Sequence, residues 1–293
     1  MAELIHLAGN TYYIKMPTNS GIYLNEDKSV YLIDSGANEE DAKKILNVIN
    51  EQGWSIRAVL LTHAHTDHAG GCKYLTKTTG CKAYASEAER IFVKYPDIEP
   101  AVVYGSFPCR DFRGKVMNTP ACDVLDIKDC ELPKDLEVFS LAGHFVDMIG
   151  FKTSDDVYFV ADAVIGEEFF KKSPVTYIFD VERQYETLWK INDLQGELCV
   201  PSHGAPTRDI TNLSNANKKA LKEVEMAVLE AINTPKTCEE ITEICFNKWS
   251  MNTSFVSFVM VSSAVRGQLT YLRHRGEVEY FFEGSRMLWK ICE

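Results

Sequence analysis

The sequence lacks three features that would each assign it to a broad class of protein. No segment approaches the ~20 consecutive apolar residues of a membrane-spanning helix, and the first residues hold no basic segment followed by an apolar run. We therefore expect neither a membrane partner nor a signal peptide. The formal net charge of -11 argues against a general affinity for phosphate backbones. The nine cysteines form no C-x-x-C pair, and this odd, scattered set predicts reduced thiols in a cytoplasmic protein.

What the sequence does contain is an alternation of strand and helix patterns. Four short strand patterns separated by turn residues occupy residues 1–34. A helical spacing of apolar residues over 38–52, a strand pattern at 57–61, a helix at about 70–79 and a strand at 82–85 follow. This βαβαβ order predicts a layered α/β architecture, and the length of 293 residues predicts one large domain with a small one.

The remaining chain divides into an insertion, a second group of strands and a C-terminal region. Residues 87–134 contain five prolines and are predicted as a loop-rich insertion with one or two short helices. Strand patterns lie at 137–141, 149–153, 157–160 and 198–201, with a helix over 181–194. Beyond an amphipathic helix, two helices and a two-stranded hairpin resemble a winged-helix module. We predict a main domain over 1–213, a linking helix over 214–234 and a winged-helix-like domain over 235–293.

The most informative segment is His63-Ala-His65-Thr-Asp67-His68, which holds three imidazoles and one carboxylate. It lies between a strand pattern that ends at Thr62 and small residues that allow a tight turn. His63 and His65 are two positions apart, so an extended or looped backbone points them the same way, whereas a helix would not. Imidazole and carboxylate are ligands that borderline divalent ions such as zinc prefer. The segment predicts a metal site.

Three further candidates lie where strand patterns end. His144 follows a glycine, Asp162 follows an apolar run and His203 precedes a glycine. Taken alone, each is typical of an ordinary loop histidine or a helix-capping aspartate. Their shared position at strand ends, downstream of the histidine cluster, favours one common site. Five of the seven histidines are then assigned to it.

These motifs resemble, in order, those of the metallo-β-lactamase superfamily. The resemblance spans residues 1 to about 210, and its H-x-H-x-D-H element is highly specific. It implies an αβ/βα sandwich of the α/β (α+β) class, with metals at one edge where loops from two sheets meet. Residues 1–213 would then be the catalytic domain. The matching segments are Leu32-Ile-Asp34-Ser-Gly36, Thr62-His-Ala-His-Thr-Asp-His68, Gly143-His144, Asp162 and His203-Gly204.

The resemblance also implies two divalent ions, with zinc as the first expectation and iron or manganese as alternatives. The first ion would be held by His63, His65 and His144, the second by Asp67, His68 and His203, with Asp162 bridging them and Asp34 orienting ligands through hydrogen bonds. Two ions about 3.5–4 Å apart lower the pKa of a shared water towards about 7, and the resulting metal-bound hydroxide attacks the substrate. Asp67 and Asp162 are the predicted catalytic residues. No serine or cysteine nucleophile is assigned, which favours direct hydrolysis.

The resemblance leaves the substrate open. Antibiotic hydrolysis is not expected, because no export signal is present and position 162 is aspartate where several exported enzymes have cysteine. The first half resembles hydroxyacylglutathione hydrolases, but their C-terminal glutathione-binding basic residues have no counterpart here. A mononuclear-iron dioxygenase of this fold would keep the motifs in part, whereas Asp67 and His68 favour a second metal. The leading prediction is hydrolysis of a small-molecule ester, thioester or lactone; the alternative is a metal-dependent endoribonuclease or phosphodiesterase.

The alternative depends on the C-terminal module, which would guide nucleic acid. Residues 235–293 contain seven Lys/Arg and seven Asp/Glu, a poor electrostatic footprint for nucleic acid or for a DNA-binding regulator. A local basic patch is still open, from Arg266, Arg273, Arg275 and Arg286. The preferred role is packing against the catalytic domain, or formation of a homodimer. The apolar area for this would come from Phe255, Phe258, Val259, Val261 and Leu269.

The insertion is expected to frame the substrate pocket. Its aromatic residues Phe92, Tyr95, Tyr104 and Phe107 are candidates for an apolar wall there, and ordinary packing is favoured over that role for any single one of them. The pair Lys171-Lys172, after Asp162, would meet an anionic substrate if it faces the same pocket.

Overall fold

Two β-sheets form the centre of the protein. The structure is a computed structural model, and it describes residues 2–113, 117, 119–194, 196 and 198–292. The first sheet has seven strands in chain order: β1 (Glu3–Ala8), β2 (Thr11–Lys15), β3 (Ser20–Leu24), β4 (Ser29–Ile33), β5 (Ser55–Leu60), β6 (Lys82–Ala85) and β7 (Leu125–Asp126). The second sheet has four, lying side by side in the order β11 (Leu198–Pro201), β10 (Val157–Ala161), β9 (Ile149–Lys152) and β8 (Glu137–Ser140).

Strand direction follows from the connections. Strands β1 to β4 are joined by short turns and pair antiparallel, whereas β4, β5, β6 and β7 pair parallel. The parallel strands are separated by helical connections, as the βαβαβ pattern predicts. In the second sheet β10 pairs parallel with β11 and antiparallel with β9. The turn at 154–156 therefore forms the predicted hairpin.

Ten α-helices accompany the two sheets in the described residues up to 248. They are α1 (Glu39–Glu51), α2 (Thr66–Ala69), α3 (Cys72–Thr79), α4 (Glu87–Lys94), α5 (Ile98–Tyr104), α6 (Arg110–Arg113), α7 (Glu167–Phe170), α8 (Val181–Asn192) and α9 (Ile210–Ala231), followed by α10 (Cys238–Lys248) in the C-terminal region. Helix α1 shows why these segments form helices. The Asn38 side chain accepts a hydrogen bond from the Asp41 amide at its N-terminus, and its buried residues Ala42, Ile45 and Ile49 follow helical spacing.

Three apolar cores hold the layers together, one between the two sheets and one between each sheet and its helices. The two sheets face each other through a shared core that includes Tyr13, Leu60, Phe151 and Phe159. The outer face of the first sheet packs on α1 and α3, and the outer face of the second packs on α8 and α9. The order helix, sheet, sheet, helix is the predicted αβ/βα sandwich.

Two differences from the predicted elements concern the insertion and the linking helix. The insertion at 87–134 contains three short helices, α4, α5 and α6, where one or two were expected; residues 114–116 and 118 of it lie outside the described residues. The helix predicted to start at residue 214 begins one turn earlier, at Ile210. The reason is the Asp209 side chain, which accepts a hydrogen bond from the Asn212 amide and so caps the helix there.

The C-terminal region consists of α10, α11 (Phe255–His274) and a hairpin of β12 (Val278–Glu283) with β13 (Arg286–Ile291). It packs on the rest of the chain: the Phe255 ring lies 6.0 Å from Tyr104 and 6.3 Å from Phe112, and Val259 joins the core of the first sheet. The division at residues 213 and 235 and the likeness to a winged helix stay predictions. No helix in the described part of the chain is long and apolar enough to cross a bilayer.

Candidate active site

The structure brings all seven predicted ligands together in two groups. One group contains His63, His65, His144 and Asp162, and the other contains Asp67, His68, Asp162 and His203. Within each group, one nitrogen or oxygen per residue lies within 4.8 Å of the others. Asp162 is the residue that belongs to both. This is the grouping expected from the sequence, with three ligands on each side of a shared carboxylate.

Each imidazole turns one nitrogen towards the site. The His65 Nδ1 atom lies 3.1 Å from His63 Nε2 and 3.1 Å from His144 Nε2. On the other side, Asp162 carboxylate oxygens lie 3.4 Å from His68 Nε2 and 3.4 Å from His203 Nε2. The His203 Nε2 atom is also 3.0 Å from an Asp67 oxygen. Donor atoms of one small cluster therefore point inward from separate loops.

The second nitrogen of several imidazoles has a partner outside this cluster, which fixes the ring. His68 Nδ1 is 2.8 Å from Asp34 Oδ2, and His203 Nδ1 is 3.3 Å from the Pro17 carbonyl oxygen. Thr62 Oγ1 lies 3.0 Å from His63 Nδ1 and donates to Asp34. Partners of this kind set the tautomer and hold the ring that would bind a metal. Asp34 therefore lies where the sequence predicted it, behind His68.

The candidate ligands follow the C-terminal ends of strands, so the fold assembles the site at one edge. His63 lies three residues after β5 ends at Leu60, and Asp162 and His203 follow the ends of β10 and β11. Asp34, directly after β4, has a positive φ of 62°, which is uncommon for a residue with a side chain. Such backbone strain is typical of functional sites that the surrounding structure over-determines.

Glycine is required beside the ligands because other chain segments pass very close. A Cβ atom at Gly71 would lie 2.1 Å from the Ser35 carbonyl oxygen, so the turn after the histidine cluster can pack against the loop of Asp34. At Gly143, φ is +139° and a Cβ atom would lie 2.5 Å from the Gln184 backbone. This glycine allows His144 to approach the site.

The electrostatics differ between the two groups. Burial lowers the pKa of His63, His65 and His144, that of His65 to about 3, so these rings are neutral and keep a lone pair. Burial also lowers the pKa of His68 and His203, but the carboxylates of Asp67 and Asp162 outweigh it and raise both, that of His203 to about 10. In this group the protonated rings of His68 and His203 balance the carboxylates of Asp67 and Asp162. The group therefore stabilises positive charge.

Two buried carboxylates near the site were not predicted from the sequence. Glu89 accepts hydrogen bonds from the amides of Ala64 (2.9 Å) and Asp147 (2.8 Å). It therefore connects the loop of His63 and His65 to the loop of His144. Glu99 has one carboxylate oxygen 3.6 Å from His65 Nε2. Burial raises the pKa of Glu89 to about 8 and that of Glu99 well above its usual range. Both lie on short helices, where glutamate is usually solvent-exposed, so no sequence signal marked them.

A cavity of about 1110 Å³ opens onto five of the candidate ligands, His65, Asp67, His144, Asp162 and His203. The aromatic residues of the insertion do not form the apolar wall that the sequence left open as an alternative to ordinary packing. Phe92 packs on Phe145 and Tyr104 packs on Phe112 and Phe255, while Tyr95 and Phe107 are exposed; none of the four lines the cavity. The insertion contributes Glu99 and Met117 instead, and both Lys171 and Lys172 lie on the lining.

Comparison with known proteins identifies the family. Residues 13–203 match the family model described as Metallo-beta-lactamase superfamily, and this match covers more than half of the chain. The chain belongs to the metallo-beta-lactamase superfamily. Members of this superfamily bind metal ions, which agrees with the two clusters of histidine and aspartate.

Curated relatives within this superfamily have different names. The chain is 29% identical to a hydroxyacylglutathione hydrolase of Klebsiella pneumoniae over 169 residues, 58% of this chain and 54% of that protein. It is 26% identical to the probable metallo-hydrolase YflN of Bacillus subtilis, covering 70% of this chain and 86% of that protein. It is 33% identical to the exodeoxyribonuclease WalJ of Streptococcus pneumoniae, covering 27% of this chain and 30% of that protein. The chain spans about half the length, or less, of the hydroxyacylglutathione hydrolases it matches.

Solved structures of the superfamily share the fold of nearly the whole chain. A beta-lactamase domain protein from Burkholderia ambifaria aligns with a TM-score of 0.76 at 15% identity, covering 99% of this chain and 94% of that one. The family protein TTHA1429 from Thermus thermophilus aligns with a TM-score of 0.71 at 19% identity, covering 97% and 99%. At these identities the likeness establishes the fold alone.

Proposed function

We propose that this superfamily member is a dinuclear metal-dependent hydrolase that cleaves an ester, thioester or lactone. The observation that carries the proposal is the shared position of Asp162, which belongs to both groups of candidate ligands. A carboxylate with two oxygens can contact two cations at once. The named hydrolases among the relatives support the reaction class.

The residues present fit a pair of divalent cations. His68 Nε2 and Asp162 Oδ1 are buried and have no hydrogen-bond partner among the described residues. Unpaired buried polar atoms are costly, and a cation between them would satisfy both. The raised pKa values of His68 and His203 point the same way, because a cation would replace the protons that these rings otherwise hold. The nitrogen and oxygen donor set suits zinc first, and iron or manganese as alternatives.

When bound, two such cations would supply an activated water and stabilise the negative oxygen that forms during hydrolysis. The chain's own residues hold the ligands in place. Thr18 donates a 3.0 Å hydrogen bond to Asp67, and Asp34 accepts from His68 and Thr62. None of the nine cysteines lines the cavity, which supports direct attack by water rather than a thiol nucleophile.

The second candidate is a metal-dependent nuclease, favoured by the match to the exodeoxyribonuclease of Streptococcus pneumoniae. Charge in the C-terminal region weighs against it. Arg286 pairs with Glu240 at 3.0 Å, Arg266 lies 3.7 Å from Glu239, and Arg275 pairs with Glu277. Three of the four arginines of the expected basic patch are therefore neutralised by acidic neighbours. Such a surface offers few free cations to phosphates.

The test is a screen of the metal-reconstituted protein against esters, thioesters, lactones and RNA. We expect turnover of at least one ester, thioester or lactone, and no RNA cleavage. His65→Ala and Asp162→Ala should each abolish turnover while the melting temperature stays measurable. His274→Ala is the matched control, because His274 is exposed and outside the site. Cleavage of RNA, or of DNA added to the same screen, with steep salt dependence and no ester turnover would replace the proposal by the nuclease.

A further inference from the structure

The cavity beside the candidate metal ligands is shared by two parts of the chain. Residues of the catalytic region line one part, including Ile165, Phe169 and Tyr177. The C-terminal region lines another part, with an apolar set formed by Phe246, Trp249, Met251, Met260 and Val261. The sequence predicted that this region would pack on the catalytic domain, but not that it would reach the site.

Packing holds this C-terminal wall, meaning the five residues just named, in a fixed position. The Phe255 ring contacts Tyr104 and Phe112 of the insertion, and Val259 joins the core of the first sheet. In return Val175, which lines the cavity, belongs to the apolar core of the C-terminal region. The two cores interlock, so the wall is built into the packing that joins the C-terminal region to the rest of the chain.

The size of the cavity indicates a substrate larger than a simple ester. Pockets for drug-sized ligands have volumes of about 300–1,000 Å³. The volume of about 1110 Å³ is at or above the upper end of that range. An acetyl ester would leave most of this space to water, and the apolar wall would remain hydrated. The wall is stabilised in the complex only when an apolar body of the substrate covers it.

Resting on the proposed function, we propose that the substrate carries an extended apolar acyl chain, and that the C-terminal wall selects it. The ester or thioester carbon would lie at the candidate metal ligands, with the chain along Trp249, Met251 and Met260. Met117 lines the same cavity. Methionine side chains are flexible and polarisable, so Met251 and Met260 of the wall, together with Met117, let the cavity fit chains of several lengths. The C-terminal region is then the specificity-determining part of the molecule.

The experiment compares a series of acyl esters and thioesters from acetyl to dodecanoyl. Burying one methylene favours the complex by about fourfold. We expect kcat/KM of the metal-loaded protein to rise by about that factor per methylene until the chain fills the cavity. Binding of non-hydrolysable thioethers, followed by calorimetry, should show the same order and gives a readout besides turnover.

Variants of the wall separate selection from structural damage. Met260→Trp fills part of the cavity, and we expect the ratio of dodecanoyl to acetyl kcat/KM to fall by at least about tenfold relative to the natural protein. Met251→Glu puts a charge on the wall at a half-buried position, where the chain can still fold. We expect the rise of kcat/KM with acyl chain length to become smaller in this variant. Met226→Trp is the control, because Met226 is 48% exposed and does not line the cavity.

The outcomes distinguish this inference from the function on which it rests. Turnover of the acetyl ester with no gain for longer chains would overturn the inference and leave the hydrolase proposal standing. Equal losses on all chain lengths in both wall variants would also overturn it, because a wall that selects chains must change their relative rates. Absence of turnover for every ester, thioester and lactone, with no preference among the thioethers, would overturn both.

Discussion

Replacing Asp34 by asparagine tests how the candidate ligands are held. Asp34 is buried and accepts hydrogen bonds from the Thr62 amide (2.8 Å), the Thr62 hydroxyl (2.9 Å) and His68 Nδ1 (2.8 Å). Asparagine has nearly the same shape, but it carries one acceptor oxygen and one donor group. In Asp34→Asn, the NH2 group of the asparagine must therefore face either the Thr62 amide or His68 Nδ1, both of which donate to the carboxylate in the natural protein.

The magnitude follows from these contacts. A hydrogen bond to a charged group contributes about 1.5–3 kcal/mol, so the free energy of unfolding should fall by about that amount. Loss of a partner that orients a metal-binding histidine typically weakens metal affinity by about 10- to 100-fold. That corresponds to about 1.4–2.7 kcal/mol of binding free energy. The effect should fall on the cation held by the group of His68, and not on the group of His63.

Chelator competition measures the affinity of each cation, and denaturant unfolding measures stability. Asp155→Asn is the matched control: Asp155 accepts from the Asn10 amide (2.9 Å) and the Thr11 hydroxyl (2.7 Å), away from the site. The control should lose stability and keep both metal affinities. Unchanged affinity for both cations in Asp34→Asn would refute the view that Asp34 acts through His68.

Two further predictions concern stability. Removing metal with a chelator should lower the melting temperature, since a ligand that binds only the folded chain at a hundredfold excess over Kd stabilises it by about 2.7 kcal/mol; identical melting curves with and without chelator would contradict this. Glu89→Gln should gain stability relative to the natural chain as pH rises. The folded pKa of about 8 lies above the unfolded value near 4.5, so the folded chain keeps a proton that the unfolded chain loses. The resulting penalty is absent below about pH 4.5 and reaches about 3 kcal/mol at pH 7. The urea midpoints of both proteins at pH 5 and pH 7.5 measure this penalty. The same difference between the two midpoints at both pH values would disprove the raised pKa of Glu89.

The sequence predicted the candidate ligands from two signals, the spacing within one short segment and the position of further residues at strand ends. His63, His65, Asp67 and His68 are close in sequence, and their spacing alone indicated a metal site. His144, Asp162 and His203 were linked to them through strand ends and through the order of motifs in the family. The fold places strand ends at one edge, so this argument succeeded for residues as much as 140 positions from the cluster.

Features that depend on long-range packing were not predictable. Glu89 and Glu99 have the sequence context of solvent-exposed helix residues, and only the approach of the Ala64 and Asp147 amides gives Glu89 its buried role. Aromatic residues of the insertion pack elsewhere, with Phe92 against Phe145. The cavity wall comes instead from Trp249 and its neighbours, whose position depends on contacts across the whole chain.

The central claim is that candidate ligands from four separate segments of the chain, those of His63–His68, His144, Asp162 and His203, converge around two cations. Elemental analysis of the metal-reconstituted and dialysed protein tests it most directly. The account predicts about two equivalents in the natural protein and about one in His203→Ala, which removes a ligand of one group only. Absence of bound metal, or a single equivalent that His203→Ala leaves unchanged, would contradict it.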